Sequence, residues 1–225
     1  MVRENLHRLE ERIESACLKA NRKRNEVRLV AVSKTYPIEV IKEALSLGQR
    51  DFGENRALEL RDKFGLISDD IYWHFIGHLQ TNKVKYVIKP AEFIHSVESI
   101  KLAEEINIQA AKIEKQQKIL LEINSSNEES KFGLRNEEKI FELAEYCKNL
   151  KNIKLCGLMT MAPFTDDEEI IRKTFRSLRE LKEKLNKSGF EFSELSMGMT
   201  NDFEIAIEEG ATMIRIGTAI FGSRG

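Results

Sequence analysis

Leu29-Val30-Ala31-Val32-Ser33-Lys34-Thr35-Tyr36-Pro37 is the stretch that decides the fold. A short apolar run ends in polar residues and a proline, which reads as a buried strand feeding a turn. Strand side chains alternate in direction, so Val30, Val32 and Lys34 share one face and Leu29, Ala31 and Ser33 the other. No GxGxxG motif follows this strand, so an open dinucleotide-binding sheet loses support.

Working outward, seven more short apolar runs recur: Asp51–Gly53, Trp73–Ile76, Phe93–Ser96, Ile119–Asn124, Leu155–Met161, Glu194–Met197 and Met213–Gly217. Helical patterns lie between them. The clearest is Ile171, Phe175, Leu178, Leu181 and Leu185; others are Ile140, Leu143, Ala144 and Cys147, and Ala103, Ile106, Ala110 and Ile113. A further helix precedes the first strand, with Leu6, Leu9, Ile13, Ala16, Cys17 and Ala20 at three- and four-residue steps. Gly48 and Gly210 each stand between a helical pattern and a strand, the place where a left-handed residue ends a helix. Strands alternating with helices make a parallel sheet, and eight of them favour a closed (β/α)8 TIM barrel with an additional N-terminal helix.

The 225 residues suit one such barrel, and no linker or low-complexity block divides them, so residues 1–225 are read as a single domain. The chain is 41% hydrophobic and 32% charged, with a net charge of -1, the profile of a soluble globular protein with no electrostatic reason to bind nucleic acid or an anionic membrane. The first residues are charged and contain no apolar signal segment, and no run reaches membrane-spanning length. Cys17, Cys147 and Cys156 are scattered, with no metal-ligand spacing, which fits a reduced cytoplasmic compartment.

Chemistry concentrates at the strand ends, where barrel active sites are built. Lys34 ends the first strand; in apolar surroundings a lysine offers a neutral amine able to attack an aldehyde. A solvated lysine at a strand terminus is the plain alternative. The seventh strand ends in Leu195-Ser196-Met197-Gly198-Met199-Thr200-Asn201-Asp202 and runs into a helix start, an arrangement suited to an anion. Thr200 or Asp202 acting only as an N-cap would explain it equally well. In the eighth strand Arg215 stands between Ile214 and Ile216, which is costly unless it is paired; a structural ion pair would serve. Gly217 and Thr218 follow it, and the loops after strands seven and eight are the recurrent phosphate site of this barrel.

Weaker candidates surround these. Asn55 closes the second strand and can face the pocket or merely open a helix. His74 and His78 lack the Glu of a zinc-binding HExxH helix, so strand packing or pocket lining is preferred over metal binding. Met159 and Met161 alternate along the sixth strand and read as core filler. The acidic run Asp166-Asp167-Glu168-Glu169 is explained by a helix start.

With these residues in view, the sequence resembles the pyridoxal phosphate homeostasis protein family, relatives of the alanine racemase N-terminal barrel. The likeness runs from Leu29 to Arg224. It rests on the ordered blocks Val30–Thr35, Phe52–Asn55, Trp73–Lys83, Lys131-Phe132-Gly133, Gly157–Met161, Leu195–Met199 and Arg215–Gly222. It implies a fold-type III barrel binding pyridoxal 5'-phosphate (PLP) as a Schiff base on Lys34. It also implies that Arg215 faces the pyridine nitrogen, that Ser196, Thr200, Gly217 and Thr218 help hold the phosphate, and that Asn55 lies near the ring. Tyr36 departs from the lysine common in the family, which touches the pocket rim and leaves the Schiff-base residue intact.

A charged arginine opposite the ring nitrogen disfavours the pyridinium, which weakens PLP as an electron sink. The resemblance implies a role in intracellular PLP homeostasis; the arginine allows a PLP-dependent amino-acid racemase, the alternative, without requiring one. A racemase needs an acid/base partner on the opposite ring face, and none is evident in the sequence. The family likeness also implies a lone barrel, a monomer, with PLP-dependent apoenzymes as possible recipients of the cofactor.

Overall fold

The computed structural model describes residues 1–67, 71–125 and 132–222; Lys131 of one matching block and Arg224 at the end of the matching span lie outside them. Eight strands form among the described residues: β1 (Arg28–Val32), β2 (Asp51–Glu54), β3 (Tyr72–Phe75), β4 (Ala91–Val97), β5 (Gln117–Glu122), β6 (Ile153–Met159), β7 (Glu194–Ser196) and β8 (Met213–Ile216). Each pairs in parallel with the next, and β8 pairs with β1 from Arg28↔Met213 to Ala31↔Ile216, closing the barrel.

The outer helices are α1 (Val2–Lys19), α2 (Ile38–Ser46), α3 (Ala57–Leu66), α4 (Val84–Val87), α5 (Ile100–Ala111), α6 (Glu137–Lys148), α7 (Glu168–Lys187), α8 (Phe203–Glu208) and α9 (Thr218–Phe221). Because α9 is a single short turn, α1 packs against α8, α9 and α2 and fills the place of an eighth barrel helix. Its buried stripe is Leu9, Ile13, Ala16 and Cys17. On α7, Asp167 caps the first turn by accepting from the Glu169 and Ile170 amides at 3.0 and 3.3 Å. Ile171, Phe175, Leu178 and Leu185 turn inward from it, and fully burying one such side chain contributes about 2 kcal/mol.

The alternation expected along β1 is observed. Val30 joins Phe93, Leu120, Cys156, Met159 and Met213 in the barrel interior, while Leu29 and Ala31 belong to the larger layer between strands and helices. Gly48 and Gly210 take φ of +96° and +97°, as helix-ending glycines do. Gly157 answers a tighter demand: a Cβ there would stand 1.9 Å from the Glu194 carbonyl oxygen on the neighbouring strand.

Boundaries shift in places. α5 stops at Ala111 and leaves Ile113 outside, because the chain turns through Glu114 at φ 52°. β5 starts earlier than its apolar run and ends at Glu122; Ile123 instead bridges to Leu134. Met161 falls past the end of β6. Among the described residues, no helix is long and apolar enough to cross a membrane, and Cys17, Cys147 and Cys156 are buried free thiols.

Candidate functional site

The C-terminal mouth of the barrel holds a cavity of about 390 Å³ whose walls include Lys34, Asn55, Glu122, Thr200, Arg215, Gly217 and Thr218. Lys34 reaches it by continuing the inward face of Val30 and Val32. The chain then reverses through Thr35 at φ 70°, a strained value for a β-branched residue. That turn is held on two sides. The Thr35 amide donates to Glu59 Oε1 at 2.6 Å, and the Tyr36 hydroxyl donates to the Gly222 carbonyl at 2.7 Å. The Tyr36 ring also packs on Phe221 at 4.9 Å.

Ser33 points the other way, into a buried ionic cluster. Lys63 Nζ donates to the Ser33 carbonyl at 2.8 Å and to Glu54 Oε1 and Glu59 Oε1, both at 2.7 Å; the Ser33 hydroxyl donates to Glu54 Oε1 at 2.7 Å. Glu54 is fully buried and Lys63 nearly so. Burial raises the Glu54 carboxyl, against the pull of Lys63 and Ser33. Burial would raise Glu59 too, but bonds from Lys63 and the Thr35 amide outweigh it and hold that carboxyl low. The backbone that presents Lys34 is thus pinned to β2 and α3.

Across the cavity, Arg215 is 4% exposed. Its Nη1 donates to Ser196 Oγ at 2.5 Å and its Nη2 to the Thr160 carbonyl at 2.9 Å. Burial lowers its pKa to about 10, opposed by the Asp202 and Glu122 charges, so it stays cationic at neutral pH. The β7–α8 loop turns at Gly198, φ +93°, where a Cβ would sit 2.6 Å from Ala206 Cβ. Asp202 closes this loop by accepting from the Met199 amide at 2.5 Å. Asp202 stands at the N-cap position of α8 but uses its side chain on the loop, with no side-chain cap bond to the helix, and Thr200 is left on the cavity wall.

Six of the seven residues singled out from the sequence line one cavity. The seventh, Ser196, is completely buried, and its hydroxyl is bonded to Arg215 and to His95 Nδ1; it stands behind the arginine rather than on the wall. His78 lines the cavity, stacked on Phe132 at 4.1 Å, with its Nδ1 3.5 Å from Glu98 Oε1. His74 lies inside the barrel, so the two histidines do not converge. Among the described residues no cluster of three His, Cys, Asp or Glu side chains could hold a metal. Met159 is core and Met161 is cavity wall.

Sequence reasoning missed Glu122. Burial and the nearby Glu98 charge push its carboxyl up to about 7, against Arg215. The signal was available: Glu122 follows Leu120 on the inward face of a strand whose apolar run it interrupts. The Asn55 Oδ1 atom is buried without a hydrogen-bond partner among the described residues. The lysine, the arginine and two threonines fit a phosphorylated ligand, and the orphaned Asn55 acceptor fits a donor group on it.

The family model described as alanine racemase, N-terminal domain, matches residues 5–225. A pyridoxal phosphate homeostasis protein from Aquifex aeolicus is 46% identical, with 98% of this chain and 97% of that protein aligned. The structure of PipY from Synechococcus elongatus with PLP bound superposes with a TM-score of 0.84 at 33% identity, covering 95% of this chain and 99% of that one. An alanine racemase from Clostridium difficile shares the fold alone, with a TM-score of 0.79 at 20% identity, and 99% of this chain covers 56% of it.

Proposed function

This chain belongs to the pyridoxal phosphate homeostasis proteins, within the alanine racemase N-terminal domain family, and from that premise we propose that it binds PLP on Lys34 and serves PLP homeostasis. The observation that carries the reading is the meeting of Lys34, Arg215, Thr200, Gly217 and Thr218 in one cavity.

In this reading each residue has a separate task. The Lys34 amine is the covalent anchor, joined to the cofactor aldehyde as a Schiff base. Arg215 donates toward the ring nitrogen, and Ser196 holds Arg215. Thr200, Gly217 and Thr218 receive the phosphate; a Cβ at Gly217 would come within 3.3 Å of the Val32 carbonyl oxygen, so the bare glycine lets β8 run close to β1. Asn55 presents its unpaired oxygen near the ring. Bound PLP supplies an electron sink, and a cationic partner at its ring nitrogen weakens that sink. Holding the cofactor is therefore favoured over turning over an amino acid.

We read residues 1–225 as one domain working as a cytoplasmic monomer that passes PLP to dependent apoenzymes. Three buried free thiols support the reducing compartment. The racemase alternative draws support from Glu122, a carboxyl of raised pKa on the cavity wall. Lys34-dependent deuterium exchange at the α-carbon of amino acids would favour it.

Borohydride reduction followed by peptide mass analysis tests the main proposal. A phosphopyridoxyl adduct on the Lys34 peptide is expected, together with loss of the near-ultraviolet absorbance of bound cofactor in Lys34→Ala. Unchanged absorbance in Lys34→Ala would overturn it.

A further inference from the structure

A line of buried polar side chains runs through the barrel from the cavity to the opposite mouth. Arg215 Nη1 meets Ser196 Oγ at 2.5 Å. Ser196 Oγ meets His95 Nδ1 at 2.9 Å, His95 Nε2 meets His74 Nδ1 at 2.9 Å, and His74 Nε2 meets Asp51 Oδ1 at 2.9 Å. The five residues come from β8, β7, β4, β3 and β2. Ser196, His95 and His74 are fully buried, whereas Asp51 borders a separate pocket at the N-terminal mouth with Arg28, Glu92 and Lys118.

The two ends of this line have fixed chemistry. A guanidinium only donates and a carboxylate only accepts, while a hydroxyl or a neutral imidazole does one of each along a chain. With both imidazoles neutral, one proton arrangement satisfies all four links. Arg215 donates to Ser196, Ser196 to His95 Nδ1, His95 Nε2–H to His74 Nδ1, and His74 Nε2–H to Asp51. Both histidines then carry the proton on Nε2. Charging either one forces a His95 Nδ1–H onto Ser196, which would accept from both His95 and Arg215 and leave its own buried proton without a partner in the line. Burial lowers the pKa of both: His74 despite Asp51, and His95 further still, where a proton would also face the Arg215 and Arg28 charges. The other charges facing the line are Arg28, Glu92 and Lys118 below and Glu122 and Asp202 above.

We propose that Asp51, His74, His95 and Ser196 are positioning residues for Arg215, with the distant carboxylate setting the direction of every proton between them. The consequence at the cavity is that Ser196 always turns a lone pair to Arg215, which keeps the remaining guanidinium donors aimed at the ligand. This role rests on the reading that Arg215 faces the cofactor ring.

Nitrogen-15 long-range NMR of the imidazoles in cofactor-free protein tests the proton order directly. The expected result is two neutral Nε2–H rings that do not titrate from about pH 5 to 8, the range in which an ordinary histidine does. A charged ring, or an Nδ1–H ring, in the wild type overturns the proposal. In Asp51→Ala the His74 Nε2–H loses its acceptor, so the fixed order should give way to a mixture with Nδ1–H rings; two rings that stay wholly Nε2–H show that Asp51 does not set the order. Ser196→Ala and His95→Phe should each weaken PLP retention about tenfold, the loss expected of one hydrogen bond to a charged group, with Ser196→Thr restoring it. Wild-type retention in Ser196→Ala overturns the positioning role even if His95→Phe does not fold. Failure of the wild type to form the Lys34 adduct would instead count against the PLP reading, leaving the NMR result to stand on its own.

Discussion

Replacing Lys63 by methionine should expose how the Lys34 turn is held. The ammonium makes three bonds of 2.7 to 2.8 Å, to Glu54, Glu59 and the Ser33 carbonyl. Methionine has similar length and volume, so the change removes charge and donors with little change in packing. Glu54, fully buried, then keeps one donor, the Ser33 hydroxyl. Removing one partner of a buried ion pair costs about 3–5 kcal/mol, which for a chain of this size lowers Tm by roughly 10 °C. The pH dependence gives the mechanism away. Burial already raises the Glu54 pKa, and Lys63 is among the groups holding it down. In Lys63→Met it rises further. A raised carboxyl stabilises fully below its unfolded pKa, and that contribution is lost as pH rises through the folded one. The deficit against wild type should therefore be large at about pH 8 and smaller at about pH 5. Glu54→Gln/Lys63→Met should recover much of the loss, since neither charge remains to be buried. Thermal or guanidinium unfolding at the two pH values measures this. An equal deficit at both, or a Lys63→Met protein as stable as wild type at the higher pH, would refute the reasoning.

Two further predictions follow from the same physics. Glu122, with its carboxyl raised to about 7, contributes stability present below its unfolded pKa and lost as pH rises through 7. Urea unfolding should therefore show a decline of about 3 kcal/mol over that interval in the wild type and a flatter profile in Glu122→Gln; parallel profiles would remove Glu122 as its cause. Gly157→Ala drives a methyl to 1.9 Å from the Glu194 carbonyl and should cost about 3 kcal/mol or more, whereas Gly65→Ala, on α3 in open space, should gain about 0.5–1 kcal/mol. Comparable melting temperatures for the two variants would show that β7 yields where the contact predicts it cannot.

The legible part of this molecule is the part with periodicity. Alternation along Leu29–Ser33 determines which face Lys34 shares, and the structure places it there. The glycines at 48 and 210 announced their left-handed geometry by position. Polar residues inside the barrel were harder to read. His95 follows Phe93 on the inward face of β4, but its partners are Ser196 and His74, from strands far away in sequence. The family resemblance implies that Ser196 is a phosphate contact; its direction depends on the length of β7, which ends at that residue. Lys63 sits in a helix where lysine ordinarily meets solvent, and only the packing of α3 over β2 makes it internal. Pairings across the ring leave no trace in local spacing.

The β1–β8 seam carries a further consequence for the cell. Lys34 is made early and Arg215 late, yet their strands are adjacent, with Val30 opposite Arg215. Until β8 emerges from the ribosome, β1 has one unpaired edge, and α1 lacks the α8 and α9 surfaces that cover it. Such long-range closure is slow and comes as a final step. A growing chain therefore carries Lys34 for most of its synthesis without the arginine that stands across the cavity from it, so the pocket exists only when the ring has shut.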